Sequence, residues 1–263
     1  MWTRHLARRA AGPALIAAAV YALSACNLSF SAVARDDWKR SYTLKDGGAL
    51  EVRNSNGRIT VEPGDGNAVE VSAERIVRAA TDEAAKDGLS KFSIVEEVRP
   101  DRILLDSSGR ADVLANMSRE VNYTIRVPRS TNVTLKAING DLAVTGIHGE
   151  FTAETTNGRV RTTDLGGSAN VTSVNGEILL DFTALGDGGV TCETTNGAIT
   201  VTLPRTQGAR VNANVTNGAV VTEGLDITTS DQSRKRLEGT IAGGGPRIRL
   251  TTVNGMVSLK ARK

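Results

Sequence analysis

Seven Asn-Gly dipeptides recur along the chain, and their spacing constrains the fold more than any other feature. They are Asn56-Gly57, Asn139-Gly140, Asn157-Gly158, Asn175-Gly176, Asn196-Gly197, Asn217-Gly218 and Asn254-Gly255. From Asn139 onward, successive asparagines are 18, 18, 21, 21 and 37 residues apart. Short alternating apolar and polar runs flank each dipeptide, which predicts two strands per period. We interpret the 37-residue interval as two periods from which one Asn-Gly marker has been lost.

Two architectures fit two strands per period. In an antiparallel β-meander or sandwich, each Asn-Gly would be a type I′ hairpin turn. In a β-solenoid resembling a right-handed parallel β-helix, each period of about 18–21 residues would be one coil, with equivalent residues stacked. Only the solenoid needs the same corner sequence in every coil. We therefore predict an all-β solenoid whose corners use Asn-Gly because it tolerates positive φ, and whose stacked asparagines hydrogen-bond between coils.

The N-terminus has the layout of a secretory signal. Arg4, Arg8 and Arg9 precede an apolar stretch over residues 10–23, which is too short for a comfortable membrane span. The stretch ends in Leu23-Ser24-Ala25-Cys26, the pattern of a bacterial lipobox. Cleavage before Cys26 would free its amine, and several acyl chains attached there would bind a membrane stably. We predict lipid attachment at Cys26.

Two other interpretations of this segment stay open. Ala32-Val33-Ala34 could be the cleavage site of an ordinary secretory signal, or residues 10–30 could be an uncleaved anchor. All three interpretations place the rest of the chain outside the cytoplasm. Asn27 stands where an aspartate would favour retention in the inner membrane. We therefore expect a lipid-anchored protein of the bacterial cell envelope, at the periplasmic or surface face of the outer membrane rather than at the inner membrane.

These patterns divide the chain into four segments. Residues 1–25 are the predicted signal peptide, and residues 26–40 are a tether. Residues 41–130 form an irregular β part with a short helix near 79–92. Residues 131–263 form the Asn-Gly repeats, continuous with the preceding part as one domain. Residues 229–240 contain Arg234-Lys235-Arg236 where a corner is missing, which indicates a modified coil.

The charge balance argues against a nucleic-acid partner. Loss of residues 1–25 removes three of the 32 basic residues and no acid, leaving 29 basic and 29 acidic residues. Nucleic-acid binders usually carry a basic face, which a net charge of zero does not favour.

The sequence offers little material for catalysis. His148 is the only histidine beyond residue 25, which argues against histidine-based triads and metal sites. Cys192 lies in an alternating strand pattern and is predicted to be a buried, unpaired thiol. Acids near the corners occur at Asp141, Asp164, Glu177, Asp181 and Asp187, but equivalent positions also hold Arg58, Arg159, Ala198, Ala219 and Met256. A solvated surface explains these acids better than a catalytic cluster, so no catalytic residue, cofactor or metal site is assigned.

Several of these segments together resemble the DUF4097 family of candidate adhesins. The resemblance rests on Tyr123-Thr124-Ile125-Arg126-Val127-Pro128, on the Asn-Gly repeats beyond it, and on the ending from Gly239 to Gly255. It covers about residues 42–260. The family implies a β-solenoid-like domain outside the cytoplasm, often tethered to a membrane, and it implies no catalytic residues.

The leading functional expectation is a non-catalytic binding, adhesion or structural module of the envelope. It would contact an envelope glycan or protein through many weak contacts along a flat face of Thr, Asn and charged side chains. One alternative is an envelope-stress sensor or regulator with a protein partner. A polysaccharide-acting β-helix enzyme is a third; Phe151 and Phe182 are the only aromatic residues within the repeats, which weakens sugar stacking.

Overall fold

A computed structural model describes residues 31–109 and 117–262 of the protein, and most of this part of the chain is β-strand. The predicted signal peptide and Cys26 lie outside the described residues. Seven strands and a helix precede the regular repeats: β1 (Ala32–Thr43), β2 (Ala49–Asn56), β3 (Ile59–Pro63), β4 (Ala68–Ala79), α1 (Asp82–Lys91), β5 (Val95–Arg99), β6 (Arg102–Asp106) and β7 (Ser118–Val127).

The regular repeats contribute eight strands in four pairs. Within each pair, the first strand ends at the asparagine of a corner and the second begins two residues after the glycine. The pairs are β8 (Asn132–Asn139) with β9 (Leu142–Thr145), β10 (Phe151–Asn157) with β11 (Val160–Thr163), β12 (Ala169–Asn175) with β13 (Ile178–Asp181), and β14 (Val190–Asn196) with β15 (Ile199–Leu203). The chain continues through β16 (Ala209–Glu223), β17 (Ile227–Ser233), β18 (Arg236–Ile241) and β19 (Arg247–Ala261).

The strands form two sheets that meet along the Asn-Gly corners. The first sheet holds the strands that lead into the corners, in the order β5-β6-β2-β8-β10-β12-β14-β19-β16-β18-β17. The second sheet holds the strands that leave them, in the order β1-β4-β7-β3-β9-β11-β13-β15-β19-β16. Strands β16 and β19 pass through the corner and belong to both sheets.

Parallel pairing between coils confirms the solenoid. Phe151 of β10 pairs with Val133 of β8 on one side and with Ala169 of β12 on the other, each 18 residues away, and both pairings are parallel. In the described part of the chain, antiparallel pairs occur only towards the two ends of the stack, between β1, β4 and β7, between β5 and β6, and between β16, β18 and β17. An antiparallel meander, in which sequential strands pair across each Asn-Gly, is therefore excluded.

The core lies between the two sheets. Alternate side chains of each strand point inward; in β10 these are Phe151, Ala153 and Thr155. Most inward residues form one hydrophobic cluster that extends from Trp38 to Leu259. A second, smaller cluster contains Ala32, Ala34, Ala79 and Ala85. The interior is filled mainly by Val, Ile, Leu and Ala, which suits the small number of aromatic residues in the chain.

All seven corner asparagines form one hydrogen-bonded ladder, called the asparagine ladder below. Each amide nitrogen donates to the side-chain oxygen of the asparagine one coil earlier in the stack, at 2.7–2.9 Å. In stacking order the ladder contains Asn56, Asn139, Asn157, Asn175, Asn196, Asn254 and Asn217. At its first end, the Asn56 amide donates to the Arg119 carbonyl at 3.0 Å.

The corner glycines are required by close packing rather than by a shared backbone conformation. A Cβ on Gly158 would lie 2.0 Å from the Gly140 carbonyl oxygen, and a Cβ on Gly176 would lie 1.9 Å from that of Gly158. Type I′ turns need positive φ at both central residues, yet among the described non-glycine residues only Asp164 and Ala242 have positive φ. The expectation that Asn-Gly was selected for positive φ is therefore wrong for the asparagines.

The last coils are stacked out of chain order. Strand β19 lies between β14 and β16, because Ile248 pairs with Val190 on one side and with Val211 on the other. Asn254 therefore occupies the ladder position between Asn196 and Asn217. The interpretation of the 37-residue interval as two periods with a lost marker is wrong, because the intervening residues form the β17–β18 hairpin.

The β17–β18 hairpin covers one end of the stack over the first half of β16. Strand β18 pairs antiparallel with residues 209–214 of β16. The carbonyls of Arg234 and Lys235, in the hairpin turn, accept hydrogen bonds from the backbone of Val220 and Val215 at 2.9 and 2.8 Å. The segment over residues 229–240 is thus an antiparallel cap instead of a coil.

The other end is closed by β1 and α1. Strand β1 pairs with β4 over its whole length, so residues 32–40 of the expected 26–40 tether are a strand of the second sheet. Ala32 and Ala34 of β1 pack against Ala85 of α1, which holds the strand in place. The helix confirms the one expected near 79–92, and its first turn is capped by the Thr81 hydroxyl.

An ion-pair group lies on the outer surface of the first sheet near this end. The two oxygens of Glu51 each lie 2.6 Å from an arginine, Arg53 on the same strand and Arg102 on β6. Burial by itself raises the pKa of the Glu51 carboxyl, but hydrogen bonds from the two arginines outweigh it and hold the pKa below its usual value.

Replacing a corner glycine should disrupt the stack. We expect Gly158→Ala to destabilise the protein by about 3 kcal/mol or more, because the new methyl group would collide with the backbone of the neighbouring coil. Urea denaturation followed by circular dichroism measures the change. Gly109→Ala is the matched control, since among the described residues its Cβ would meet nothing closer than the Arg119 guanidinium at 3.5 Å. Equal stability of the two variants would contradict the packing argument.

The Glu51 ion pairs should make stability depend on pH. A carboxyl whose pKa is lowered on folding stabilises the protein above the unfolded pKa of about 4.3, and this contribution is lost as the pH falls through the folded value. We expect Glu51→Gln to lower the free energy of unfolding by about 1 kcal/mol at neutral pH, with the two proteins converging in acid. Thermal melts from neutral to acidic pH test the expectation, and substitution of the exposed Glu193 by Gln is the control. A constant difference at all pH values would contradict it.

Candidate functional site

The outer side of the first sheet is a regular surface, called the ladder face below because it borders the asparagine ladder. Each coil contributes three outward side chains, at five, three and one residues before its corner asparagine. Since coils are about 4.8 Å apart, these side chains form straight columns along the stack. The face spans the seven coils that carry a corner asparagine.

The column beside the ladder alternates between hydroxyl and aliphatic side chains. In stacking order it contains Ser55, Ile138, Thr156, Val174, Thr195, Val253 and Thr216. The aliphatic members Ile138, Val174 and Val253 are 50%, 43% and 38% exposed. They recur at every second coil, and therefore at intervals of about 9.6 Å. The face thus presents evenly spaced apolar contacts separated by hydroxyl groups.

This alternation exists only in the folded stack. In chain order Thr195 is followed by Thr216, and Val253 comes last. The insertion of β19 between β14 and β16 places Val253 between the two threonines. The sequence shows that Thr, Val, Ser or Ile precedes each corner, but the order of the column could not be read without the strand order.

The other two columns are polar and carry both charges. The middle column contains Arg53, Lys136, Glu154, Thr172, Glu193, Thr251 and Asn214, and the outer column contains Glu51, Thr134, Thr152, Asn170, Thr191, Arg249 and Asn212. Lys136 and Glu154 form an ion pair between adjacent coils at 2.9 Å. Mixed charges of this kind give the face no strong preference for an anionic or a cationic ligand.

The ladder face is open rather than enclosed. It carries an open depression of about 400 Å³ whose lining includes Lys136, Ile138, Glu154 and Thr156. Such a surface suits contact with an extended ligand along many coils better than it suits a small molecule, which normally binds in a concave, largely apolar pocket.

Two of the corner acids contact Arg159 of an adjacent coil. Asp141 accepts a hydrogen bond from the Arg159 backbone at 3.0 Å, and Glu177 lies 3.2 Å from the Arg159 guanidinium. With Arg58, these residues form a column that alternates basic and acidic side chains. This pairing supports the interpretation of these acids as surface residues.

The remaining acids do not converge on one catalytic point. Asp164 and Asp181 both contact Arg262, which follows β19, with 3.3 Å between Asp181 and the guanidinium. Asp187 is exposed in the loop before β14. Within residues 31–109 and 117–262, no three His, Cys, Asp or Glu side chains are grouped so that they could hold a metal ion.

Neither Cys192 nor His148 is placed for nucleophilic chemistry. Cys192 is fully buried among the inward residues of the first sheet, and burial raises the pKa of its thiol far above the usual value. The prediction of a buried, unpaired thiol is confirmed. His148 is exposed in the segment between β9 and β10, where its backbone N–H donates to the Arg129 carbonyl at 2.6 Å.

Across the parts of the chain that the structure describes, no helix has both the length and the apolar character needed to cross a membrane.

Solved structures of bacterial proteins resemble this chain at low sequence identity. A candidate cell adhesion protein from Clostridium sporogenes is 14% identical, with a TM-score of 0.47, over 86% of this chain and 100% of that one. A candidate adhesin from Bacteroides fragilis is 14% identical, with a TM-score of 0.42, over 86% and 97%. A candidate lipid-binding protein from Parabacteroides distasonis is 13% identical, with a TM-score of 0.28, over 87% and 97%. No curated protein matches the sequence significantly.

The family comparison covers most of the chain. The model of the family described as Toastrack DUF4097 matches residues 48–260, from the strand before the first corner to the end of β19. This range contains the whole asparagine ladder and the ladder face. The chain belongs to the DUF4097 (Toastrack) family.

Proposed function

We propose that the protein is a lipid-anchored, non-catalytic binding module of the bacterial cell envelope, and that its ladder face binds an extended, repetitive envelope glycan. The observation that carries the proposal is the exposed column in which Ile138, Val174 and Val253 recur at every second coil. A repetitive polymer could place an equivalent group against each of these side chains.

The contacts are individually weak. Full burial of a valine or isoleucine side chain contributes about 1.5–3 kcal/mol, so burying the exposed half of three such side chains contributes about 3 kcal/mol in total. Affinity would therefore depend on many coils acting together and on confinement of the protein near its ligand. A lipid anchor supplies such confinement.

The segment between Cys26 and the first strand is short. Strand β1 begins at Ala32, six residues after Cys26. That segment can span at most about 20 Å when fully extended. A protein lipidated at Cys26 would keep the β1 end of the solenoid close to the bilayer, with the stack of coils leading away from β1.

Substitution of the aliphatic residues in the column beside the ladder should weaken binding of the glycan. We expect the triple variant Ile138→Thr, Val174→Thr and Val253→Thr to bind purified cell-wall sacculi with about tenfold lower affinity, because it removes apolar contact area. Threonine is also β-branched, so the strands should be preserved. Co-sedimentation measures the effect.

A matched control uses three equally exposed valines elsewhere on the surface. Val33→Thr, Val98→Thr and Val221→Thr replace side chains that are 43%, 50% and 44% exposed and lie off the ladder face. Equal losses in the two triple variants, or no binding by the unmodified protein, would contradict glycan binding by this face. In the second case, a partner that cross-links only under envelope stress would favour the sensor alternative. Turnover of the glycan would contradict the non-catalytic role.

The lipid anchor has a separate test. We expect the full-length protein to fractionate with membranes and Cys26→Ala to be released or retained as an unprocessed precursor, because the acyl chains attach to that sulfur. Metabolic labelling with a fatty acid measures attachment directly. Protease treatment of intact cells then separates the surface face from the periplasmic face. Labelled Cys26→Ala protein would contradict attachment at Cys26.

A further inference from the structure

Six of the seven Asn-Gly corners are covered by a following coil. In five of them, the glycine N–H donates to the backbone carbonyl of the next asparagine in the stack, at 2.9–3.1 Å: Gly57 to Asn139, Gly140 to Asn157, Gly158 to Asn175, Gly176 to Asn196 and Gly197 to Asn254. The sixth, Gly255, pairs with Gly218 in the same parallel register, beneath the corner of β16. Each of these backbone nitrogens faces another coil.

Within residues 31–109 and 117–262, no coil lies beyond the corner at Asn217-Gly218. Strand β16 pairs with β19 on one side, and on its other side β18 pairs only with residues 209–214. The hairpin cap reaches the β16 backbone at Val215 and Val220 but does not extend a strand across the corner. Gly218 therefore lacks the asparagine carbonyl that binds its counterparts.

Asn217 also occupies the open end of the asparagine ladder. Its amide nitrogen donates to the Asn254 side chain at 2.8 Å, but in the described part of the chain no following asparagine donates to its own side-chain oxygen. The residue is exposed. Its side chain is thus fixed by one ladder bond, whereas each asparagine in the middle of the ladder is fixed by two.

An asparagine followed by glycine can deamidate without an enzyme. The backbone nitrogen of the glycine loses its proton and attacks the asparagine Cγ, forming a five-membered succinimide, and the side-chain nitrogen leaves as ammonia. Water then opens the ring at either carbonyl and yields aspartate or isoaspartate. The reaction needs a backbone nitrogen that is free to lose its proton and a side chain that can rotate towards it.

We propose that Asn217 is the site at which this protein deamidates, and that stacking protects the other six Asn-Gly corners. At the covered corners, the hydrogen bond from the glycine nitrogen and the ladder bonds oppose both requirements of the reaction. At Asn217 the first of these restraints is missing and the second is halved. Seven chemically equivalent dipeptides therefore differ in reactivity because of their places in the stack.

The product would loosen the last coil. An aspartate at this position cannot donate to the Asn254 side-chain oxygen, and its carboxylate would face that oxygen as a second acceptor. Isoaspartate would also lengthen the backbone by one atom at the corner, where the coils are packed most tightly. Modification would therefore begin the separation of β16 from β19.

Mass spectrometry can follow all seven sites in one sample. The folded protein is incubated in mildly alkaline buffer, digested at mildly acidic pH, and each Asn-Gly peptide is examined for the one-unit mass increase and for the isoaspartate isomer. We expect Asn217 to react at least about tenfold faster than any other corner, as loss of one or two hydrogen bonds would allow. In urea, all seven sites should react within a few-fold of one another.

Two controls keep the result interpretable. Asn217→Gln should abolish the fast signal and leave the other six sites unchanged, because the larger ring that glutamine would form closes much more slowly. Its melting temperature, compared with that of the unmodified protein, shows whether the stack is intact. Similar rates at all seven folded corners, or a faster reaction at any other corner, would overturn the proposal.

Discussion

The rest of the structure depends on how closely successive coils approach at their corners. At six of the seven corners, the glycine lies against the carbonyl oxygen of the glycine one coil below, with no room for a Cβ; at the first corner, Gly57 lies in the same way against the Val121 carbonyl oxygen. This approach brings the asparagine side chains within hydrogen-bond distance of one another and sets the register of every strand that enters or leaves the corner. Parallel pairing, inward alternation and the columns of the ladder face all follow from that register.

The solenoid could be predicted from the sequence because its cause is local and repeated. Every coil needs the same corner, so Asn-Gly recurs once per coil, and its spacing predicts a solenoid. The conformational reason given for it was wrong for the asparagines, because the restriction at the corner comes from contact with another coil. That contact joins residues 18 or more positions apart, and it does not require a positive φ at the asparagine. The amino-acid types at the corner therefore could not reveal it.

Two other features could not be predicted, for different reasons. The sequence predicts a tether in place of the first part of β1, because charged residues interrupt the alternation of apolar and polar side chains that indicates a strand. Of the six residues 35–40, only Trp38 is buried. The position of β19 was missed because parallel strands of one register can exchange places in a stack without changing their own sequence pattern. The alternating column of the ladder face depends on that exchange. The sequence predicts a face of Thr, Asn and charged side chains, and the exposed Ile138, Val174 and Val253 are not part of that expectation.

The position of β19 in the stack also affects the order in which the strands can pair. Among the described strands, β19 comes last in the sequence, so β14 and β15 have no described neighbour on one side until residues 247–261 have been synthesised. Until then, the β17–β18 hairpin is the only described neighbour of β16. Open parallel edges of this kind invite pairing with other chains. Strand β19 therefore joins the two parts of the stack: without residues 247–261, a gap would separate β14 and β15 from β16.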